Sequence, residues 1–305
     1  MIQEIRIKNY LSFRDEVVLS FEATKDTTFE ECQVVNVTPK VRLLRFALIY
    51  GANASGKSNL LNALDFLRGF WFDKKSDIDE ETGVVPFLLD TETPNEPSEF
   101  NIKFFVGDRR YWYALVMDDK QVIKEDLYVY NSVQPSLVFS RELDGTASLI
   151  KLNASLVKAN ATIVELLNVK CLSNMSFFAA RNQVNCSLAY IDEVRDWMKN
   201  NMMPIIKPDT RMFEYAGKQM EKNAELKAYI LDFVHKADYN ITDVYTEREK
   251  VPIPDFVKAS IIEDKDIPEK AKEKVLADNS LERLRTDFQH TVKNKRGEES
   301  YRLPN

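Results

Sequence analysis

The stretch 51–58 reads Gly51-Ala52-Asn53-Ala54-Ser55-Gly56-Lys57-Ser58 and fits the pattern G-x-x-x-x-G-K-S/T. Those residue types at that spacing build a loop that wraps a polyphosphate, a P-loop. Gly51 lets the chain turn sharply where it leaves an extended run. Gly56 keeps a side chain from blocking close approach of phosphate oxygens to backbone N–H groups. The Lys57 ammonium would reach the β- and γ-phosphates as the catalytic cation, while the Ser58 hydroxyl would ligate Mg²⁺. Residues 56–59 would open a helix whose unpaired N–H groups and positive dipole end favour an anion. Asn53, Ala54, Ser55 and Asn59 complete the expected nucleotide-contacting set.

Only 8 of the 305 residues are glycine, under half the roughly 7% of average usage. A chance match to a pattern that demands two of them is therefore rare, on the order of one chain in a hundred or fewer.

The loop must be held by the elements on either side. Before it, 43–50 (LLRFALIY) is a nearly continuous apolar run, as expected for a strand covered on both faces. After it, Leu60, Leu61, Leu64 and Leu67 recur at helical spacing until Gly69, where a helix can stop. Further upstream, Ile2, Ile5 and Ile7, then Val17, Val18, Leu19 and Phe21, read as strands around a polar turn at 12–16. Downstream, 100–106, 111–117, 122–130 and 137–141 are β-rich runs separated by turn signals, predicting an antiparallel meander. Helical periodicity dominates 155–235, and 240–247 reads as a strand. The charged stretch 251–285 reads as a solvated helix or mobile insert.

Composition narrows the classes. With 18 Phe, 12 Tyr and 3 Trp, the chain carries more apolar material than a disordered one. No window reaches the length of uncharged apolar sequence a membrane helix needs, and the start is unlike a signal peptide, so a cytoplasmic protein is expected. Three scattered cysteines and two histidines suggest neither a disulfide framework nor a zinc or multi-histidine site. A net charge of −6 supplies no global attraction to nucleic acid. Arg109-Arg110 and Lys293-Asn294-Lys295-Arg296 are small basic clusters that read as hairpin turns or solvated loops.

The wording GANASGKSNLLNAL, with Asn53 inside the loop and Asn59-Leu60-Leu61 after it, resembles the P-loop of ABC-type ATPase heads of the SMC, RecF and OLD (overcoming lysogenization defect) kind. Ile7-Lys8-Asn9-Tyr10-Leu11-Ser12-Phe13 is similar to the I-x-N-F-x-S-F opening of their first strand. Pro86-Phe87-Leu88-Leu89-Asp90, Glu99-Phe100-Asn101-Ile102 and Tyr111-Trp112-Tyr113 resemble prokaryotic AAA-type ATPases of that group found in abortive-infection and other phage-defence systems.

The resemblance implies an α/β P-loop NTPase, an ABC-ATPase-like N-terminal lobe with an antiparallel β meander and a helical subdomain. The expected division is 1–150 for the P-loop lobe, 151–238 for the helical subdomain, and 239–305 for a strand, a charged insert and the start of a C-terminal half. ATP and Mg²⁺ are the implied cofactors, and a head-to-head homodimer of the complete protein the implied assembly. An effector nuclease or DNA enters as a partner by family analogy only. Ser12, Phe13 and Arg14, near the nucleotide in such heads, become candidates for base or phosphate contacts.

Hydrolysis by such a head also requires a Gly-containing signature motif and a Walker B strand ending in Asp-Glu. Leu188-Ala189-Tyr190-Ile191-Asp192-Glu193 is the one apolar run ending in Asp-Glu, but Val194, Trp197 and Met198 continue it at helical spacing. Asp192 and Glu193 are therefore expected on the exposed side of a helix. Gly145, in Asp144-Gly145-Thr146, reads as a hairpin turn rather than a signature. Phe288-Gln289-His290 and Glu298-Glu299-Ser300-Tyr301-Arg302-Leu303 resemble the two segments that precede the signature in relatives. The chain is thus expected to be the N-terminal part of a larger ATPase, binding ATP with little turnover alone. His290 is expected to be a packed strand residue with no catalytic role. Two other classes compete: a P-loop kinase or GTPase, and a non-catalytic interaction module that keeps the P-loop as a relic.

Overall fold

Strand β1 (Ile2–Lys8) alternates inward Gln3, Ile5 and Ile7 with half-buried Glu4, Arg6 and Lys8, a period of two that covers one face of a sheet and wets the other. The computed structural model describes residues 1–207, 210, 212–237, 240–263, 269–294 and 297–304. They form two compact units, Met1–Ile205 and Ile206–Asn305.

In the first unit β1 pairs on one side with β2 (Val17–Ser20). On the other it pairs with β5 (Ser98–Val106), followed in order by β6 (Arg109–Met117), β7 (Val122–Tyr130), β8 (Ser136–Asp144) and β9 (Ala147–Leu152). Every pair in this seven-stranded sheet is antiparallel. The predicted meander is present, one strand longer than expected. Two of its hairpins turn at Gly107 and Gly145, whose φ values of 59° and 63° suit glycine. Gly145 is thus a hairpin residue, as its neighbours suggested.

Between β2 and the P-loop lie a short α1 (Glu30–Gln33) and a two-stranded ribbon, β3 (Val34–Thr38) with β4 (Val41–Leu44). Helix α2 (Lys57–Phe70) follows the loop and buries Leu60, Ala63, Leu67 and Phe70. Phe66 of α2 and Phe100 of β5 close on Tyr10, with ring centroids 5.7 and 5.2 Å from it. Three more helices complete the first unit: α3 (Ala161–Lys170), α4 (Phe177–Arg181) and α5 (Ile191–Asn201). Asn160 and Ser176 cap α3 and α4 by accepting backbone N–H bonds from Ile163 and Phe178. Trp197 of α5 stacks on Phe104 of β5 at 4.2 Å, and Phe177 of α4 on Phe139 of β8 at 4.0 Å, so α2, α4 and α5 share one apolar core with the sheet.

Asp192 and Glu193 lie in the first turn of α5, not at a strand end. The expectation that they face solvent is corrected: both are partly buried and engaged. Asp192 pairs with Arg181 at 2.8 Å and accepts the Leu188 N–H, while Glu193 accepts from Arg109 and from the Tyr111 hydroxyl. Carboxylates are favoured at a helix N-terminus, and these two tie α5 to β6 and to the segment after α4.

In the second unit, α6 (Phe213–Lys222) and α7 (Ala224–Lys236) precede β10 (Ile241–Pro252). Helices α8 (Asp255–Glu263) and α9 (Glu269–Asp278) then lead to β11 (Ser280–Asn294) and β12 (Gly297–Pro304). The strands form an antiparallel sheet in the order β10-β11-β12, against which α6 and α7 pack. The charged stretch is therefore the end of β10, two helices and the start of β11, apart from 264–268, which lie outside the described residues. His290 sits mid-sheet on β11 between Ile241 and Tyr301, as a strand residue should. Lys295 and Arg296 of the second basic cluster lie outside the described residues.

Candidate functional site

Residues 51–56 form a loop between an extended segment and the first turn of α2. Gly56 is the N-cap of α2 with φ 87°, a left-handed conformation that L side chains avoid. A Cβ built there would lie 2.8 Å from a ring carbon of Phe13 and 3.0 Å from Ser12 Oγ. Glycine is thus required by two independent constraints, backbone handedness and the turn that lies against it. Gly51 needs no left-handed φ, and a Cβ on it would meet only the Ser55 side chain, whose Oγ would lie 3.1 Å away. Within the loop before Gly56, the left-handed backbone falls on Ala54, whose φ is 63°.

The Lys57 ammonium folds back into the loop, donating to the Gly51 and Ala52 carbonyls at 3.0 and 2.6 Å and to Ser55 Oγ at 3.5 Å. It therefore sits where the loop's own oxygens converge. Ser58 is exposed, and its hydroxyl has no partner among the described residues. Asn59 donates its amide to Ser12 Oγ at 2.8 Å, and Asn62 donates to Asn59 Oδ1 at 3.3 Å. Asn53, Ala54 and Ser55 are exposed along the loop. The geometry fits a Mg-nucleotide: a cation, a free hydroxyl and a helix N-terminus converge on a loop without bulky side chains.

The turn that backs the loop is held by Asn9. Asn9 is fully buried with φ 49°; its amide donates to the Thr93 and Glu96 carbonyls at 2.8 and 2.7 Å and its Oδ1 accepts the Phe87 N–H at 2.8 Å. The Leu11 N–H adds a bond to the Val85 carbonyl at 2.9 Å. Four contacts thus fasten the turn to 85–96, and the turn sets Ser12 and Phe13 against Gly56. Burial and the Asp65 carboxylate push the Tyr10 hydroxyl up to about 12, so it stays neutral and keeps donating to the Asn62 carbonyl of α2. Of the three candidates on this turn, Ser12 and Phe13 touch the P-loop, whereas Arg14 is exposed and paired with Asp15 at 3.0 Å. An asparagine directly after a strand, inside a run with too few polar neighbours for a loop, is the signal that marks Asn9.

The expectation of a covered strand at 43–50 is corrected. Only Leu43 and Leu44 belong to β4, whose one strand partner is β3. Phe46, Leu48 and Tyr50 are 64%, 75% and 88% exposed, and no backbone hydrogen bond among the described residues involves 46–50. A run apolar on both sides becomes a buried strand only when other strands flank it, and none of the described strands does. We expect deuterium exchange at 46–50 in this chain to be complete within seconds while β6 stays protected. Protection of 46–50 matching that of β6 would show that the run is paired.

The architecture is mixed α/β, and residues 51–58 place the phosphate-loop pattern at the start of α2. Residues 46–151 match a family described as "AAA domain, putative AbiEii toxin, Type IV TA system", a span that includes the loop, α2 and most of the meander. The match supports an AAA-type nucleotide-binding domain of the prokaryotic kind over that segment. No curated protein and no solved structure matches the chain. No helix among the described residues is long and apolar enough to cross a membrane.

Proposed function

We propose that this chain binds ATP with Mg²⁺ through residues 51–59 as part of an ABC-type ATPase head of the SMC, RecF and OLD group. The observation that carries this reading is the loop itself: Gly56 in a left-handed N-cap, Lys57 inside the loop and Ser58 free at the start of α2. Bound Mg²⁺ would neutralise phosphate charge. Lys57 would exchange the Gly51 and Ala52 carbonyls for phosphate oxygens, and Ser58 would turn its hydroxyl to the metal. Gly51, Asn53, Ala54, Ser55, Gly56 and Asn59 would line the loop, their backbone groups meeting the anion.

Hydrolysis would then require signature and Walker B elements that this sequence does not present, supplied when two heads come together. Our reading does not assign that acidic pair to Asp192 and Glu193, which start α5 and hold ion pairs to Arg181 and Arg109. The apolar run 46–50, exposed beside the loop, supports the need for further strands around the site. The family resemblance extends the proposal to a role in phage defence.

Calorimetric titration and thermal melts test the reading. Mg–ATP at a hundredfold excess over its Kd should stabilise the protein by about 2.7 kcal/mol. Lys57→Ala should remove about 1.5–3 kcal/mol of binding, the range for hydrogen bonds to charged groups. Turnover should stay below about 1 s⁻¹, against a typical enzyme median near ~10 s⁻¹. A melt unmoved by millimolar Mg–ATP would favour the relic module, and binding of Mg–GTP without Mg–ATP would favour a GTPase.

A further inference from the structure

Between α2 and β5 the chain runs through 85–96 with no strand and only one short 3₁₀ turn, Thr93–Asn95. Packing holds this strap weakly: Thr93 is its one buried residue, and Val85, Leu88 and Leu89 are exposed. Hydrogen bonds fasten it at a single place. Among the described residues, every hydrogen bond from 85–96 to another part of the chain ends on Asn9 or Leu11. The Leu11 N–H donates to the Val85 carbonyl, the Phe87 N–H to Asn9 Oδ1, and the Asn9 amide to the Thr93 and Glu96 carbonyls.

The turn depends on the strap in return. Asn9 and Leu11 have φ values of 49° and 50°, a left-handed backbone that is uncommon outside glycine and persists where surrounding bonds impose it. Tyr10 and Phe13 close the turn by exchanging backbone bonds at 2.9 and 2.8 Å. Its far side meets the start of α2. Ser12 Oγ accepts the Asn59 amide at 2.8 Å, Asn62 holds Asn59 Oδ1 at 3.3 Å, and the Phe13 ring lies against Gly56. One strained turn is therefore shared by the strap on one side and the helix start that follows the P-loop on the other.

We propose that this turn couples the strap to the nucleotide loop through Asn9: Asn9 is a positioning residue for Mg–ATP, and occupancy of the loop in turn holds 85–96 in place. The inference rests on the ATP reading above and adds to it the element that the nucleotide state reaches. When the strap's bonds to Asn9 open, the left-handed turn loses what holds it, and Ser12 and Phe13 leave the start of α2. A ligand that binds only the docked arrangement then has its affinity reduced by the docked fraction. Linkage makes the effect reciprocal: a nucleotide that favours the docked turn also disfavours opening of the strap.

The test uses the full chain. It compares the wild type with Asn9→Gly, which tolerates the left-handed backbone but lacks the amide, and with Glu125→Gln, which loosens the same unit away from the loop. Mg–ATP is titrated by calorimetry well below each melt. Deuterium exchange is followed at 85–96 and in the first bonded turn of α2, from the Leu60 N–H onward. In the wild type Mg–ATP should slow exchange at 85–96. Asn9→Gly should weaken Mg–ATP about tenfold or more, as a docked fraction of about one tenth gives, and saturating Mg–ATP should no longer slow the strap. Glu125→Gln should keep both the affinity and the slowing despite a lower melt. Wild-type affinity in Asn9→Gly, or a wild-type strap that ignores bound Mg–ATP, overturns the coupling and leaves the ATP reading standing. A wild type that binds no Mg–ATP removes that reading instead, and the free protein then decides the coupling: faster exchange from Leu60 onward in Asn9→Gly supports it, and unchanged exchange there overturns it. Asn9→Asp, which keeps the acceptor for the Phe87 N–H and loses the donated bonds, carries the same expectations where Asn9→Gly does not fold.

Discussion

Replacing Gly56 by alanine is expected to reduce Mg–ATP binding by at least tenfold and to lower the melting temperature of the free protein. Two costs combine. A left-handed conformation costs a residue with a Cβ about 1–2 kcal/mol, and the new methyl would stand 2.8 Å from the Phe13 ring. Phe13 is packed against the core and cannot simply swing away. Relief by moving the helix start would shift the Lys57 and Ser58 N–H groups that the anion needs. The double variant Phe13→Ala/Gly56→Ala separates the two terms: it should recover the steric part of the stability loss but not the backbone part. Wild-type affinity in Gly56→Ala would contradict the arrangement of loop and turn described above.

The largest loss of stability is expected from Arg141→Met. Arg141 and Glu125 are both fully buried and pair at 3.2 Å. Arg141 also donates to the Leu172, Ser173 and Met175 carbonyls and to Ser148. Glu125 accepts from the hydroxyls of Tyr113 and Ser176 and from the Phe177 N–H. Removing the cation leaves a carboxylate and three carbonyls in an apolar core, a change that costs about 3–5 kcal/mol when a buried pair is broken. For a unit of this size that is a melting shift of about 10 °C. Glu125→Gln should cost less, because the amide keeps an acceptor for some of the same donors. The double variant should cost less than the sum of the singles, since each then lacks a stranded opposite charge. Additive losses would show that the two side chains act separately.

Part of this molecule was legible residue by residue. The P-loop is a local pattern of eight consecutive positions, although of its two glycines only Gly56 takes a left-handed conformation and Ala54 takes the other. The meander was legible because a sheet with one covered face imposes a period of two on each strand, as on Ile5 and Ile7 or Tyr111, Tyr113 and Leu115. The β3–β4 ribbon was not, because Val34, Val35 and Val41 alternate weakly and half-exposed strands carry little hydrophobic contrast. The run at 43–50 misled for the opposite reason. Apolar content reports that a segment can be buried, and only neighbouring strands decide whether it is.

The sequence by itself therefore determined the chemistry available at the loop and the helix and strand character around it, because both are encoded by short spacings along one segment. The tertiary structure alone decided what depends on residues far apart meeting in register. It placed Ser12 and Phe13 against Gly56 and gave Asn9 its anchoring bonds. It turned Asp192 and Glu193 into ends of ion pairs and buried Arg141 against Glu125. A side chain's partner is fixed by strand order and pairing register, which no local pattern records.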